Sequence, residues 1–296
     1  MSKFRQNPIT KEWTIISPGR KKRPTVVKAD RCPFCPGSGD LTGPDVYHLD
    51  GVRVIPNKYP ITDFHEVIIH SPDHKKDLDE LPLDQVKLVL RTYKDRYNFY
   101  KKKRDDFYIH IYNNAGREAG ASLRHPHSQL VVFNQIPKEV VEEIVGAKDF
   151  FERKGVCPYC DLLRKEISSK DRVVLESDFF VVLTPFQSEW PYEITIFPKK
   201  HQADFGKISD SELSDLASVL QKTLRAYNKV LSQPDRNFWI HSLPIRGDEP
   251  EAQYYHWHLD LIPRIKTLGG LELGAGIMVD DRVGPEQAAR ELRQAL

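Results

Sequence analysis

Two long stretches of the chain repeat apolar positions with the 3.6-residue period of an amphipathic helix. Val86, Val89, Leu90, Tyr93, Tyr97 and Tyr100 form one stripe, and Leu213, Leu216, Leu220, Leu224, Tyr227 and Leu231 form the other. Ahead of each stripe runs a strand-like segment closed by a histidine: Glu66-Val-Ile-Ile-His-Ser-Pro-Asp-His74 and Glu193-Ile-Thr-Ile-Phe-Pro-Lys-Lys-His201. Behind each stripe comes a second such segment, Phe107-Tyr-Ile-His-Ile-Tyr112 or Asn237-Phe-Trp-Ile-His241. A third then carries a His-x-His pair: His125-Pro-His127-Ser-Gln-Leu-Val-Val132, or His256-Trp-His258-Leu-Asp-Leu-Ile262. The spacings agree between the two copies. Cys32 to His74 is 42 positions and Cys157 to His201 is 44, while His74 to His125 is 51 and His201 to His256 is 55. Landmarks recurring in one order at near-equal spacing predict a duplicated α+β chain. Its two tandem half-domains are 1–150 and 151–296, each a mainly antiparallel sheet with a long helix packed on it.

Composition adds limits rather than a function. The 296 residues are 40% hydrophobic and 29% charged with a formal net charge of +2, the balance of a folded globular chain. That charge gives no global pull toward nucleic acid or a membrane surface. Met1 to Arg23 is polar and basic without the apolar centre of a secretory signal, and no apolar run is long enough to span a bilayer. Cytoplasmic placement, where thiols stay reduced, is the expectation.

The four cysteines come as two pairs, Cys32-Pro-Phe-Cys35 and Cys157-Pro-Tyr-Cys160. A reduced thiol pair at this spacing is a zinc half-site rather than half of a disulfide framework. The recurring histidines complete two sets: Cys32, Cys35, His74 and His125, and Cys157, Cys160, His201 and His256. Two Cys and two His fill a tetrahedral zinc site, so both sets are expected to be structural, with two zinc ions per chain. One four-cysteine site joining the halves is the competing arrangement, and it strands four well-spaced histidines. In the second half, His241, His256 and His258 with a carboxylate form a competing set, and iron is the alternative occupant there.

His127 is the candidate nucleophile. In a strand, positions i and i+2 share a face, so His125 can hold a metal while His127 meets a substrate. Pro126 between them removes a ladder donor and fits an edge strand. Upstream lies Asn113-Asn-Ala-Gly-Arg-Glu-Ala-Gly-Ala-Ser-Leu123, whose Gly116 and Gly120 allow backbone amides to approach phosphate oxygens. Ser122 and Gln129 add neutral donors that can follow charge spreading over a phosphoryl group. A neutral imidazole can attack phosphorus through one nitrogen while the other donates to a backbone carbonyl. The second half makes the contrast: Arg246-Gly-Asp-Glu-Pro-Glu-Ala-Gln253 brings three carboxylates before His256, which would repel phosphate and leave His258 the poorer nucleophile. His48, His65, His70 and His110 have no chemical context in the sequence and are expected to be structural or surface residues.

On these residues the chain resembles the galactose-1-phosphate uridylyltransferase family, a branch of the histidine-triad superfamily. The resemblance runs nearly end to end. It takes in Asn7-Pro-Ile-Thr-Lys-Glu-Trp-Thr-Ile-Ile-Ser-Pro-Gly-Arg20, the Cys-Pro-Phe-Cys pair, Ser71-Pro-Asp-His74, the His-Pro-His-Ser-Gln run and a closing helix over Glu286-Gln-Ala-Ala-Arg-Glu-Leu-Arg293. It implies that Arg20 and Arg23 approach substrate phosphates and that Asn57 lies by the nucleotide. Asn114, Ser122 and Gln129 would line the diphosphate, His127 would be uridylylated and Glu272 would contact the hexose. The implied reaction exchanges UMP between UDP-glucose and galactose 1-phosphate in a homodimer. Leu271 stands where the well-known uridylyltransferases place a tyrosine, and Gly274-Ala-Gly-Ile-Met278 lacks their sugar-binding glutamine. The Gly-Gly-x-Glu-x-Gly pattern and the second cysteine pair resemble the plant-type ADP-glucose phosphorylases, which implies adenine and inorganic phosphate instead. A zinc-stabilised nucleotide-binding module without covalent chemistry is the reading from another class.

Overall fold

A computed structural model describes residues 2–22, 31–103, 107–247 and 249–296. The N-terminal hairpin, β1 (Lys3–Gln6) and β2 (Trp13–Ile16), forms a two-stranded sheet of its own. A short helical turn, α1 (Gly39–Thr42), leads into β3 (Tyr47–Leu49), β4 (Val52–Pro56) and β5 (His65–Ile69). The first apolar stripe is α2 (Leu83–Lys101), and all six of its stripe residues are buried. Then come β6 (Tyr108–Ala115), β7 (His127–Phe133), α3 (Lys138–Lys154) and α4 (Pro158–Ser169). The second half continues with β8 (Val173–Glu176), β9 (Phe180–Leu183), β10 (Ile194–Pro198), α5 (Asp210–Leu231), β11 (Arg236–His241), β12 (His258–Pro263), α6 (Gly270–Ala275) and α7 (Pro285–Ala295).

Among the described residues, ten strands form one antiparallel sheet in the order β3-β4-β5-β7-β6-β11-β12-β10-β9-β8. The order is palindromic: each half gives five strands, and β6 pairs with β11 at the seam through Asn114↔Asn237 and Phe238↔Asn113. The duplication seen in the sequence thus closes into a single sheet. The 150/151 division falls inside α3, so a helix rather than a linker crosses it.

Helices α2 and α5 lie side by side on one face, where one apolar cluster takes Val54, Ile68, Leu130, Leu220, Ile240 and Leu261 from both halves. The strand period of two sends alternate residues to the other face. There Ile55, Val67 and Ile69 pack on Phe34 in the first half, and Val181, Leu183 and Phe197 pack on Leu163 of α4 in the second. Strand β7 lies between β5 and β6, which corrects the edge-strand expectation. Pro126 precedes the first strand residue, so its missing N–H costs no ladder bond, and its carbonyl accepts from the His70 amide at 3.2 Å.

Candidate functional site

The face away from α2 and α5 carries the candidate site residues. Register places His127 opposite Ile69 and Gln129 opposite Val67, so both side chains stand on that face. His127 is 7% exposed and lines a cavity of about 240 Å³ with Phe34, Asn57, Lys58, Ser122 and Gln129. Its Nδ1 lies 2.8 Å from the His125 carbonyl. A carbonyl can only accept, so Nδ1 carries the hydrogen and the neutral ring keeps its lone pair on Nε2. Behind the strand, Asn113 Nδ2 donates to the His127 carbonyl at 2.9 Å, fixing the backbone that presents the ring. Ser128, pointing the other way, is bonded to Tyr93 and to His70.

Other expected site residues take different places. Arg20 lines a neighbouring cavity of about 560 Å³ that shares Lys58 and Tyr59 with the first, and its guanidinium donates to the Tyr59 carbonyl at 2.6 Å. Arg23 lies outside the described residues. Asn114 lines a third cavity, beside His125, and its side-chain oxygen accepts from Asn237 at 2.8 Å. Glu272 does not line the His127 cavity. It caps α6 by accepting from the Gly269 amide at 3.0 Å and pairs with Lys266 at 3.2 Å. Gly116 has φ +93, and a Cβ there would fall 1.9 Å from Asp235. The Asp235 carboxylate also takes the Glu118 amide at 2.6 Å. That corner of the glycine loop is therefore closed on an internal carboxylate, which corrects the expectation that Gly116 opens it to phosphate.

Both cysteine–histidine sets assemble. All four cysteines are free thiols, and the ligand atoms of Cys32, Cys35, His74 and His125, and of Cys157, Cys160, His201 and His256, lie within 4.8 Å of one another. In the first set Cys35 Sγ is 3.3 Å from His74 Nδ1 and 3.6 Å from His125 Nδ1. In the second, Cys160 Sγ is 3.3 Å from His201 Nδ1 and 3.7 Å from His256 Nδ1. Bonds of about 2.3 Å to sulfur and about 2.0 Å to nitrogen make the S···N edge of a zinc tetrahedron about 3.5 Å, so the donors fit such an ion. The outer nitrogens agree with that use. His125 Nε2 donates to the Ser71 carbonyl, His256 Nε2 to that of Pro198 and His201 Nε2 to that of Ala252, at 2.8 to 2.9 Å, which turns each Nδ1 lone pair toward sulfur. Hydrogen bonds from Cys160, His201 and His256 hold the Cys157 thiol well below its usual range despite burial. The two cysteine pairs sit in separate sets, so the single four-cysteine arrangement does not form.

A third cluster stands beside the second cysteine–histidine set. Glu143 of α3 covers the second half of the same face, with Oε1 2.8 Å from His241 Nδ1 and 3.7 Å from His258 Nε2. Asp260 Oδ2 lies 3.4 Å from His258 Nε2. His256 sides with the cysteines, while Glu143, His241 and His258 form their own group. Burial disfavours a charged His258, but Asp260 and Glu143 outweigh it and push its pKa up to about 9. Burial likewise opposes ionisation of Glu143, yet His241 and then His258 hold its carboxyl well below the usual range.

Models of known families decide the kinship. One described as the galactose-1-phosphate uridyl transferase N-terminal domain matches residues 64–137, and its C-terminal counterpart matches residues 143–296. The chain belongs to the galactose-1-phosphate uridylyltransferase family. Members are nucleotidyltransferases, and this chain is one by kinship. It is 30% identical to the galactose-1-phosphate uridylyltransferase of Thermotoga maritima, covering 99% of this chain and 98% of that one. It is 32% identical to the ADP-glucose phosphorylase of Arabidopsis thaliana, covering 98% and 92%. Among solved structures, the Arabidopsis ADP-glucose phosphorylase with bound ADP-glucose superposes with a TM-score of 0.84 at 33% identity, covering 99% and 98%. A uridylyltransferase structure reaches 0.88 at 30% identity, covering 100% and 98%.

Two kinds of residue at this site have partners that the sequence does not reveal. Glu143 sits on a helix with few buried side chains, and its partners lie about a hundred positions away. His65 and His70, expected to be structural or surface residues, both contact the strand that carries His127: His65 Nε2 lies 3.0 Å from Gln129 Oε1 and His70 Nε2 lies 2.8 Å from Ser128 Oγ. Both contacts depend on the pairing of β5 with β7, which no local pattern reveals. One signal was present: His65 and His70 bracket a fully buried strand, where a polar side chain needs a partner.

Proposed function

We propose that the protein is a hexose-1-phosphate uridylyltransferase working through a covalent nucleotidyl-histidine on His127. The observation that carries this is a ring tied back through Nδ1 to the His125 carbonyl while lining a cavity with Ser122 and Gln129. Nε2 attacks the α-phosphorus of UDP-glucose, the bond to the bridging oxygen breaks, and glucose 1-phosphate leaves. The imidazolium formed keeps its Nδ1–H on the His125 carbonyl, which stabilises the positive charge. A phosphate oxygen of galactose 1-phosphate then attacks the same phosphorus, UDP-galactose leaves, and the electron pair returns to Nε2. Gln129 and Ser122 are assigned to the phosphoryl oxygens and Asn57 to the nucleotide. Arg20, Arg23 and Asn114 are assigned to the outer phosphates.

Glu272 is assigned to the hexose. It is outside the His127 cavity, and Leu271, Leu273 and Ile277 around it are 55%, 72% and 62% exposed. A second copy contributing this segment accounts for both facts, so we take the protein as a homodimer. We further assign zinc to both Cys2His2 sets and a cytoplasmic location, which suits reduced thiols; no described helix is long and apolar enough to cross a membrane. The zinc assignment predicts that chelation lowers the melting temperature along with activity. Unchanged melting after metal loss measured by mass spectrometry would contradict it.

A second reading keeps the mechanism and moves AMP from ADP-glucose to phosphate. Leu271, the segment after Glu272 and the 32% identity to the Arabidopsis ADP-glucose phosphorylase favour it. Side-by-side turnover of UDP-glucose with galactose 1-phosphate and of ADP-glucose with phosphate separates the two. Faster turnover of the adenylyl pair overturns the uridylyl assignment, and no turnover of either overturns both.

A further inference from the structure

Gln129 can serve a phosphate only with its amide nitrogen toward the cavity, because the carbonyl end would repel an anion. Something must hold the amide that way round, since its two ends have nearly the same shape. The loop between β4 and β5 supplies the means. The Tyr59 amide donates to Asn57 Oδ1 at 2.8 Å, which turns Asn57 Nδ2 inward. The Ile61 amide donates to His65 Nδ1 at 3.2 Å, so the neutral His65 ring carries its hydrogen on Nε2. Both inward donors meet Gln129 Oε1, His65 Nε2 at 3.0 Å and Asn57 Nδ2 at 3.4 Å. Asn57 Nδ2 and His65 Nε2 are themselves 3.0 Å apart, so these two groups and Gln129 Oε1 form one compact cluster. A flipped amide would set its NH2 against both N–H groups in a buried setting, where His65 is 3% exposed and Gln129 is 5% exposed.

We propose that His65 is a positioning residue: two backbone amides of residues 59–61 fix Asn57 and His65, and these aim the Gln129 amide N–H at the transferred phosphoryl group. The inference rests on the functional reading above, in which Gln129 contacts phosphate.

The test is single-turnover labelling with α-phosphorus-labelled UDP-glucose and, in parallel, α-labelled ADP-glucose. Five proteins are compared: wild type, His65→Asn, His65→Gln, Gln129→Ala and the double variant His65→Asn/Gln129→Ala. The Asn side chain can keep the Ile61 contact but not the reach of Nε2, whereas the Gln amide nitrogen replaces Nε2 as donor. His65→Asn should slow labelling about tenfold and Gln129→Ala about a hundredfold, with His65→Gln within about threefold of wild type. In the Gln129→Ala background, His65→Asn should cost less than about twofold, because the amide it aims is gone. Rates are taken per folded molecule after thermal melting, so a loss of stability does not enter them. An equal cost of His65→Asn in both backgrounds, or no recovery in His65→Gln, overturns the inference alone. Absence of label on wild type from either nucleotide sugar overturns the functional reading and this inference with it.

Discussion

His127 and His258 occupy equivalent places in the two halves and sit in opposite electrostatic settings. Each begins a strand just after a metal-set histidine, and each directs Nδ1 at the carbonyl two residues back, at 2.8 Å for His127 and 3.1 Å for His258. The difference lies two residues further along the strand and in what covers the face. Gln129 follows His127 on its face, and Asp260 follows His258 on the other. The first ring lines a cavity; the second is enclosed by Glu143, Asp260 and His241, and the two carboxylates push its pKa up to about 9, which favours the imidazolium. An imidazolium has no lone pair to attack with, and its carboxylates would repel a phosphate. Duplication supplies the same backbone twice, with a neutral amide in one copy where the other has a carboxylate, and under the proposed function that exchange assigns the chemistry to the first half.

The comparison can be broken by moving that charge. Gln129→Glu gives the first half the second half's carboxylate at almost unchanged shape. It should lower kcat about a thousandfold, whereas Asp260→Asn should leave steady-state turnover within about threefold. Comparable losses in both variants would show that the halves are not divided in this way.

A smaller effect concerns the joint between halves. Arg236 of β11 reaches across to Asp77 at 2.7 Å and Asp79 at 3.2 Å and is 8% exposed. Arg236→Met leaves two half-buried carboxylates without their partner and should cost about 3 kcal/mol in urea unfolding. Burial alone would raise the Asp77 pKa, but Arg236, and then His70, hold it well below the usual carboxylate range. A depressed carboxylate stabilises the fold above its unfolded pKa of about 4 and loses that contribution as pH falls below it. The gap between wild type and Arg236→Met should therefore be full at pH 7 and shrink below about pH 4.

The smallest effect separates the two long helices. Ser209 caps α5 in a reciprocal box with Glu212, at 3.2 Å and 2.6 Å, whereas α2 starts after Pro82 with no side-chain cap. Ser209→Ala should lower stability by about 1 kcal/mol in thermal unfolding.

Much of the fold was legible because the two helices and their flanking strands carry their periods locally. The stripe from Val86 to Tyr100 and the one from Leu213 to Tyr227 are buried as the 3.6 period predicts. The two cysteine–histidine groupings were legible because the same four landmarks recur at matching spacing. What failed was information held across strands. The seam between β6 and β11 joins the halves through register alone. The central place of β7 contradicts what Pro126 suggested, since a proline just outside a strand leaves no trace of which neighbours pair with it. Gly116 resembled a phosphate-loop glycine, and only the approach of Asp235, far along the chain, shows what needs its missing Cβ. Arg20, Asn114 and Glu272 were placed by resemblance, and in one copy of the chain they line other cavities or cap a helix.

The division of labour between the two histidines is tested most directly by labelling without an acceptor. Wild type, His127→Ala and His258→Ala are each incubated with α-labelled UDP-glucose or ADP-glucose, and the label is mapped by peptide. An acid-labile, base-stable label on the His127 peptide, absent in His127→Ala and retained in His258→Ala, is the predicted result. Equal labelling of wild type and His127→Ala, or label found on the His258 peptide, would contradict it.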